Sequence, residues 1–248
     1  MEVYVGKTVL VTGGAKGIGS AISISFAKEA YFVIVHYNRS EKKAIALREE
    51  IINKGQKCEI LKADLSKEEE IEKMFYVIGK RFHFVDVLIN NCGISQQKLF
   101  LDTSLKDWEE VFSVNLFSMF FCCKKILPNM IREKKGNIIN ISSVWGEVGA
   151  AFETIYSSSK AAVIGFTKAL AKEVALSGIN VNCIAPGVIK TDMLDFLKEE
   201  ETEELKERIP IGRIGSPFDV ANAALFLADE KSSYINGEIL DVGGGFCR

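Results

Sequence analysis

The sequence predicts an α/β protein: a single domain over residues 1–248, built as a doubly wound parallel sheet of seven strands with helices on both faces. Three observations predict it. Short apolar runs alternate regularly with longer amphipathic stretches along the chain. Such alternation demands crossover helices, hence a parallel sheet, and right-handed crossovers then place helices on both faces. The length of 248 residues suits one α/β domain, and no linker, low-complexity tract or repeat divides it.

The strand-like runs are Thr8–Val11, Phe32–Val35, Cys58–Lys62, Val85–Ile89, Asn137–Ile141, Asn180–Ile184 and Glu238–Val242. Helical patterns lie between them over Ile18–Glu29, Glu41–Lys54, Lys67–Lys80, Trp108–Glu133, Ile155–Leu176 and Pro217–Ala228. The acidic stretch Leu197–Arg208 reads either as a solvated surface helix or as part of a lid over a ligand cleft, within a substrate loop spanning about 188–212.

Composition narrows the function. The chain is 48% hydrophobic and 26% charged, ordinary for a globular protein, and its formal net charge of -2 provides no field for nucleic acid. The two histidines, His36 and His83, make no ligand spacing with the six cysteines, and no C-x-x-C occurs, so no metal site is expected. The cysteines lie mostly in apolar company and read as buried thiols of a reducing compartment; Cys247, near the C-terminus, could be exposed. The first residues run straight into a strand with no signal peptide, and the apolar stretch Val111–Cys123 is too short to cross a bilayer. A cytoplasmic protein without a membrane partner is expected.

After the first strand comes T-G-G-A-K-G-I-G, with Gly13, Gly17 and Gly19 in G-x-x-x-G-x-G spacing around Lys16 and Ile18. Glycines permit a tight turn and let backbone approach a pyrophosphate, and the helix that opens there offers free N–H groups and its positive end. This is the arrangement of a dinucleotide-binding, Rossmann-type sheet. An NAD site would place a carboxylate about twenty residues further on. Here the second strand ends His36-Tyr37-Asn38-Arg39-Ser40, with no acid before Glu41. A guanidinium at Arg39, a hydroxyl at Ser40 and the Lys16 ammonium suit a 2′-phosphate, so NADPH is the expected cofactor. Asp64, followed by Leu65, ends the third strand and can meet the adenine amino group; Asn91 and Gly93 follow the fourth.

Tyr156 and Lys160 stand four apart in Y-S-S-S-K, and Ser143 ends N-I-S-S thirteen residues earlier. Positions i and i+4 share a helix face, so the ammonium can lie beside the phenol and lower its pKa from about 10. A phenol so tuned exchanges protons near neutral pH, and a serine hydroxyl can hold a substrate oxygen.

Together these residues resemble the short-chain dehydrogenase/reductase family over essentially the whole chain: T-G-x-x-x-G-x-G, N-N-x-G at 90–93, Asn115, Ser143, Y-x-x-x-K, P-G at 186–187 and a D-x-G-G-like tail at 241–244. The resemblance implies Tyr156 as acid/base, Lys160 as its tuner and ribose ligand, Ser143 orienting a carbonyl, and Asn115 holding a relay water. It places Pro186, Gly187, Val188 and Thr191 along the nicotinamide. Cys92 departs from the family's usual alanine, a similarly small residue. The family forms dimers and tetramers through its long central helices, and the apolar faces of Trp108–Glu133 and Ile155–Leu176 make a homotetramer the expectation.

Within the family, A-A-V-I-G-F-T-K-A-L-A-K-E resembles bacterial 3-oxoacyl-carrier-protein reductases of fatty acid synthesis, which use NADPH. Two departures stand out. Glu153 lies three residues before Tyr156 where those enzymes carry Gly-Gln, and Ser177 stands where they carry a basic residue. The segment around Trp145 and Glu147 also resembles reductases of a 5-aminopentanone group on elongation factor P, and an acidic lip at Glu153 suits such a cationic ketone. The substrate expected is thus a ketone, small or carried on a protein, with Ser143, Trp145, Glu153 and Tyr156 around it. Hydroxysteroids and sugar alcohols stay open as substrates, since substrate loops vary freely on this fold.

Overall fold

The computed structural model describes residues 3–192 and 199–246. Seven strands, β1 (Thr8–Val11), β2 (Phe32–Tyr37), β3 (Cys58–Lys62), β4 (Val87–Asn90), β5 (Gly136–Ile141), β6 (Ile179–Pro186) and β7 (Ile239–Val242), form one sheet in the order β3-β2-β1-β4-β5-β6-β7. Every pairing is parallel, as the strand–helix alternation requires. The chain reverses direction across the sheet between β1 and β4, and at such a switch point the strand ends leave a crevice.

Side chains alternate between two cores. Val9 and Val11 of β1 pack with Ile22 and Phe26 of α1 (Gly17–Lys28), with α2 (Glu41–Asn53) and with α9 (Pro217–Ala228). Leu10 points the other way, toward Ile71 of α3 (Glu68–Arg81) and the helices that follow β4 and β5. All four β1 residues are buried, so a one-residue slip would exchange the two cores.

The stretch expected as one helix over Trp108–Glu133 is α4 (Leu105–Phe112), a π-helical turn (Ser113–Phe117) and α5 (Ser118–Glu133). Ser104 starts α4 earlier than expected: its hydroxyl accepts from Asp107 N–H while Asp107 accepts from Ser104 N–H, a reciprocal cap. The full run Leu105–Glu133 is 29 residues and apolar enough to span a bilayer by length and composition, unlike the shorter stretch read from sequence. In the fold it is a core helix whose Met119, Phe121, Cys122 and Met130 are buried against the sheet.

A short α6 (Trp145–Val148) follows β5, and α7 (Thr154–Val174) follows it. Of the expected substrate loop over about 188–212, residues 193–198, and with them the start of the stretch read as a lid, lie outside the described residues; Glu199–Glu207 form α8. Cys247 also lies outside them.

Candidate active site

The switch point is stitched by Thr12. Its hydroxyl donates to Ile89 O at 3.2 Å and accepts from Asn91 N–H at 2.9 Å and Cys92 N–H at 3.1 Å. The Asn91 amide returns bonds to Thr12 O and Gly13 O at 3.0 and 3.1 Å. Asn91 therefore acts here on the turn itself. Gly13 adopts φ +60°, a left-handed conformation open to glycine. A Cβ on Gly19 would collide with the Gly13 carbonyl oxygen, so the helix start packs directly on the turn.

Above this turn, α1 begins at Gly17, Ile18 and Gly19 with no side-chain cap and no acid in its first turn. Among the described residues, its first amides have no side-chain acceptor, which suits an anionic diphosphate. Thr191, on the loop after β6, packs against Gly17. Lys16 and Arg39 are exposed at the rim, Asn38 and Ser40 half-buried, and Ser40 precedes α2 without a side-chain capping bond. Lys43 of α2 pairs with Asp192 at 2.6 Å, and the Lys16 charge also favours the Asp192 carboxylate.

Two expected cofactor residues have other occupations. Asp64 Oδ1 accepts from Ser66 N–H and Ser66 Oγ at 3.1 and 2.7 Å, which lowers its pKa and shapes the entry to α3. Leu65 is buried in the core beneath, so only its backbone can border the cleft.

The π-helical turn aims Asn115 inward. Its Oδ1 accepts from Ile94 N–H at 2.8 Å, and its Nδ2 donates to Ile94 O at 3.0 Å and Ser159 Oγ at 2.9 Å. An extra residue in a helical turn shifts the phase of the side chains, a device frequent at functional sites. Ser159 in turn donates to Tyr156 O at 2.7 Å, tying this clamp to α7.

Tyr156 and Lys160 lie on α7 as the i, i+4 spacing predicts, with Lys160 Nζ 5.7 Å from the phenol ring centroid. The ammonium is buried and donates to Ile141 O at 2.8 Å. A Cβ on Gly93 would lie 3.2 Å from it and 3.5 Å from Asn115 Oδ1, so these three residues meet. Ser143, just after β5, accepts from Trp145 N–H at 3.2 Å, and its hydroxyl lies near enough to Tyr156 to favour the phenolate. The structure thus brings Asn115, Ser143, Tyr156 and Lys160 into one connected site.

The expected lowering of the Tyr156 pKa by Lys160 is corrected. Burial pushes the phenol up to about 12; the Ser143 hydroxyl pulls it down, and the Glu153 charge adds to the rise. Lys160 is brought down to about 8 by the same desolvation, and its proton is directed at Ile141 rather than the phenol. Burial outweighs the ion–phenol attraction because both groups have left water.

Pro186 O accepts from Val144 N–H at 3.0 Å, Gly187 N–H donates to Val242 O at 3.1 Å, and Val188 O accepts from Gly215 N–H at 2.9 Å. These bonds hold the β6 end against the Ser143 segment and the β7 end. Trp145 packs its ring on Phe246 at 5.6 Å between centroids. Glu153 caps the approach to α7 and accepts from Gln97 Nε2 at 3.1 Å, while Glu147 is exposed.

Sequence reasoning missed Thr12, His36 and Ser159 as members of the site. His36 Nδ1 accepts from Gly13 N–H at 3.0 Å. The only signal was position: each stands at a strand end or one helical turn from a residue already singled out.

The sequence pattern described as short chain dehydrogenase matches residues 7–202. A 3-oxoacyl-[acyl-carrier-protein] reductase of Aquifex aeolicus (strain VF5) is 47% identical over 247 residues, 99% of each chain. A protein of the same name from Staphylococcus aureus (strain Mu50) is 41% identical over 239 residues, 96% of this chain and 97% of that one. The uncharacterized oxidoreductase YmfI of Bacillus subtilis (strain 168) is 40% identical over 97% of this chain and 98% of its own. With the parallel sheet, the glycine turn and the site at its switch point, these likenesses establish that the chain belongs to the short chain dehydrogenase family, oxidoreductases acting on CH–OH and C=O groups.

Proposed function

We propose that this protein is a cytoplasmic, NADPH-dependent reductase of 3-oxoacyl thioesters, acting on the substrate while it is held on acyl carrier protein. The observation that carries this reading is the 47% identity, over 99% of both chains, to a reductase of that name. The connected quartet Asn115, Ser143, Tyr156 and Lys160 gives the reading its chemistry.

The nicotinamide would supply the hydride. Gly13, Gly17, Ile18 and Gly19 would carry the diphosphate, and Lys16, Asn38, Arg39 and Ser40 a 2′-phosphate. Asp64, the Leu65 backbone, Asn91 and Gly93 would border the adenosine side, with Pro186, Gly187, Val188 and Thr191 along the nicotinamide.

Ser143 would donate to the ketone oxygen and orient it beside Tyr156. The Tyr156 phenol, protonated at neutral pH because burial raises its pKa, would give its proton to that oxygen. Lys160 and the Asn115–Ile94 clamp would hold the path by which the proton is replaced. Trp145 and Glu153 would form the outer wall.

Self-association as a homotetramer belongs to this proposal. The outer face of the π-helical turn opens a groove of about 630 Å³ lined by Phe112, Leu116, Phe117, Phe120, Ala162 and Phe166. A second copy packing there would cover these rings.

The test follows nicotinamide absorbance with acetoacetyl thioester, using NADPH and NADH in parallel. Turnover with NADPH should exceed that with NADH, and Tyr156→Phe should lose roughly 10³-fold in kcat while still binding NADPH. A folded protein that binds NADPH yet leaves the thioester unreduced, or a Tyr156→Phe variant as active as wild type, would defeat the proposal.

A further inference from the structure

Two amides of the glycine turn end on a single residue. Gly13 N–H donates to His36 Nδ1 at 3.0 Å, and Gly14 N–H donates to His36 O at 2.9 Å. The other ring nitrogen, Nε2, lies 2.9 Å from Ala63 O. A carbonyl only accepts, so Nε2 carries the hydrogen and Nδ1 presents its lone pair to Gly13. The imidazole thus spans from the end of β3, across β2, to the turn after β1. It is 1% exposed, and Gly13 has no side chain with which to anchor itself.

We infer that His36 is a positioning residue for the dinucleotide: its neutral ring sets the height and tilt of the Gly13 peptide and so fixes the turn on which the diphosphate rests. This builds on the reading of that turn as a dinucleotide cradle. A protonated ring would turn a second N–H against the Gly13 N–H, so the strut works only as the neutral base.

The groups facing the ring bear on its charge. Asp64 and the Ala63 carbonyl favour protonation, but burial opposes them and prevails, holding His36 at about 4. Cys92 Sγ, 3.7 Å from Nδ1, stays a neutral thiol because burial pushes it up to about 12, against the pull of Thr12 and Lys160. No thiolate therefore competes for the imidazole. The ring stays neutral in the fold across the range where enzymes of the cytoplasm work.

The test compares His36→Leu, which fills the space without an acceptor, with His36→Asn, which places an amide oxygen near the Nδ1 position. NADPH and NADH affinities are read by fluorescence titration, beside melting temperature. His36→Leu should weaken both cofactors about tenfold, the loss of roughly one hydrogen bond. His36→Asn should recover most of that affinity. Equal affinity in wild type and His36→Leu, or equal weakening in both variants, would overturn the inference; a structural role alone would move only the melting temperature.

Should His36→Leu fail to fold, the wild-type ring is read directly. With two histidines in the chain, His83→Gln leaves His36 as the sole imidazole signal in ¹⁵N spectra. An Nε2–H tautomer that does not titrate down to about pH 5 supports the strut; an Nδ1–H tautomer, or a midpoint near the ordinary value of about 6.5, overturns it. A wild-type protein that binds neither cofactor would instead defeat the cradle reading and this one with it.

Discussion

Replacing Lys160 by methionine should stabilise the protein while destroying its activity. The side chain is 3% exposed, and desolvation takes its ammonium from 10.5 down to about 8. At about 1.4 kcal/mol per tenfold, holding that charge in the fold at neutral pH costs on the order of 3 kcal/mol. Methionine keeps the aliphatic stem and removes the charge, but leaves the Ile141 carbonyl without its donor, which returns about 1 kcal/mol. The expected net gain is about 2 kcal/mol at pH 7. The sign with pH is distinctive. Below pH 8 the lysine is protonated folded and unfolded, and the cost is complete. Between about 8 and 10.5 the unfolded chain holds a proton that the fold has released, so wild-type stability rises with pH relative to the variant. Urea unfolding of both proteins at matched concentration, at pH 7 and near pH 10, measures this gap, with turnover read on the same samples. A methionine variant that is less stable at pH 7, by an amount unaffected by pH, would show that the ammonium is well solvated or strongly paired, and the reasoning would fail.

Two further substitutions probe the walls of the site. Gly19→Ala drives a methyl into the Gly13 carbonyl and to 2.7 Å from Asn91 Nδ2, so cofactor affinity should fall at least about tenfold with a loss of about 1–3 kcal/mol in stability; a titration and a melt indistinguishable from wild type would contradict the close packing. Asn115→Ala removes three hydrogen bonds to Ile94 and Ser159 and should cost about 2 kcal/mol in urea unfolding, with kcat down about 10- to 100-fold, whereas unchanged turnover would place Asn115 outside the proton path.

The fold was legible because its signals are local. Each strand is a short apolar run bounded by a turn, and the glycine spacing at 13, 17 and 19 marks where the first helix must meet the first strand. Tyr156 and Lys160 were legible for the same reason, since an i, i+4 pair is a statement about one helix. The limits of Trp108–Glu133 were less so: its start depends on the Ser104–Asp107 cap, and its π-helical turn on side chains packing from α7 and the Ile94 loop. His36 escaped notice because its partners, Gly13 and Ala63, lie 23 and 27 residues away and meet only when β2 is seated between β1 and β3. The direction of the Tyr156 pKa was likewise hidden, because spacing reports which charge is near but says nothing of how much water is left.

That correction bears on the direction of the proposed reaction. A single cause, removal from water, raises the phenol to about 12 and lowers the ammonium to about 8. At neutral pH both groups then hold their protons. A phenol with its proton can give it to a developing alkoxide; to accept one from an alcohol it must first be ionised, at a cost that burial increases. The Ser143 hydroxyl works the other way, favouring the phenolate once the proton has gone and so easing the transfer without emptying the donor beforehand. Lys160 remains charged beside the vacating phenol, held by Ile141 and hemmed in by Gly93 and Asn115, where its field grows in value as negative charge appears. The protein thus accepts a costly buried cation in its folded state, and the benefit arises only as the proton moves, which is where a reductase needs it.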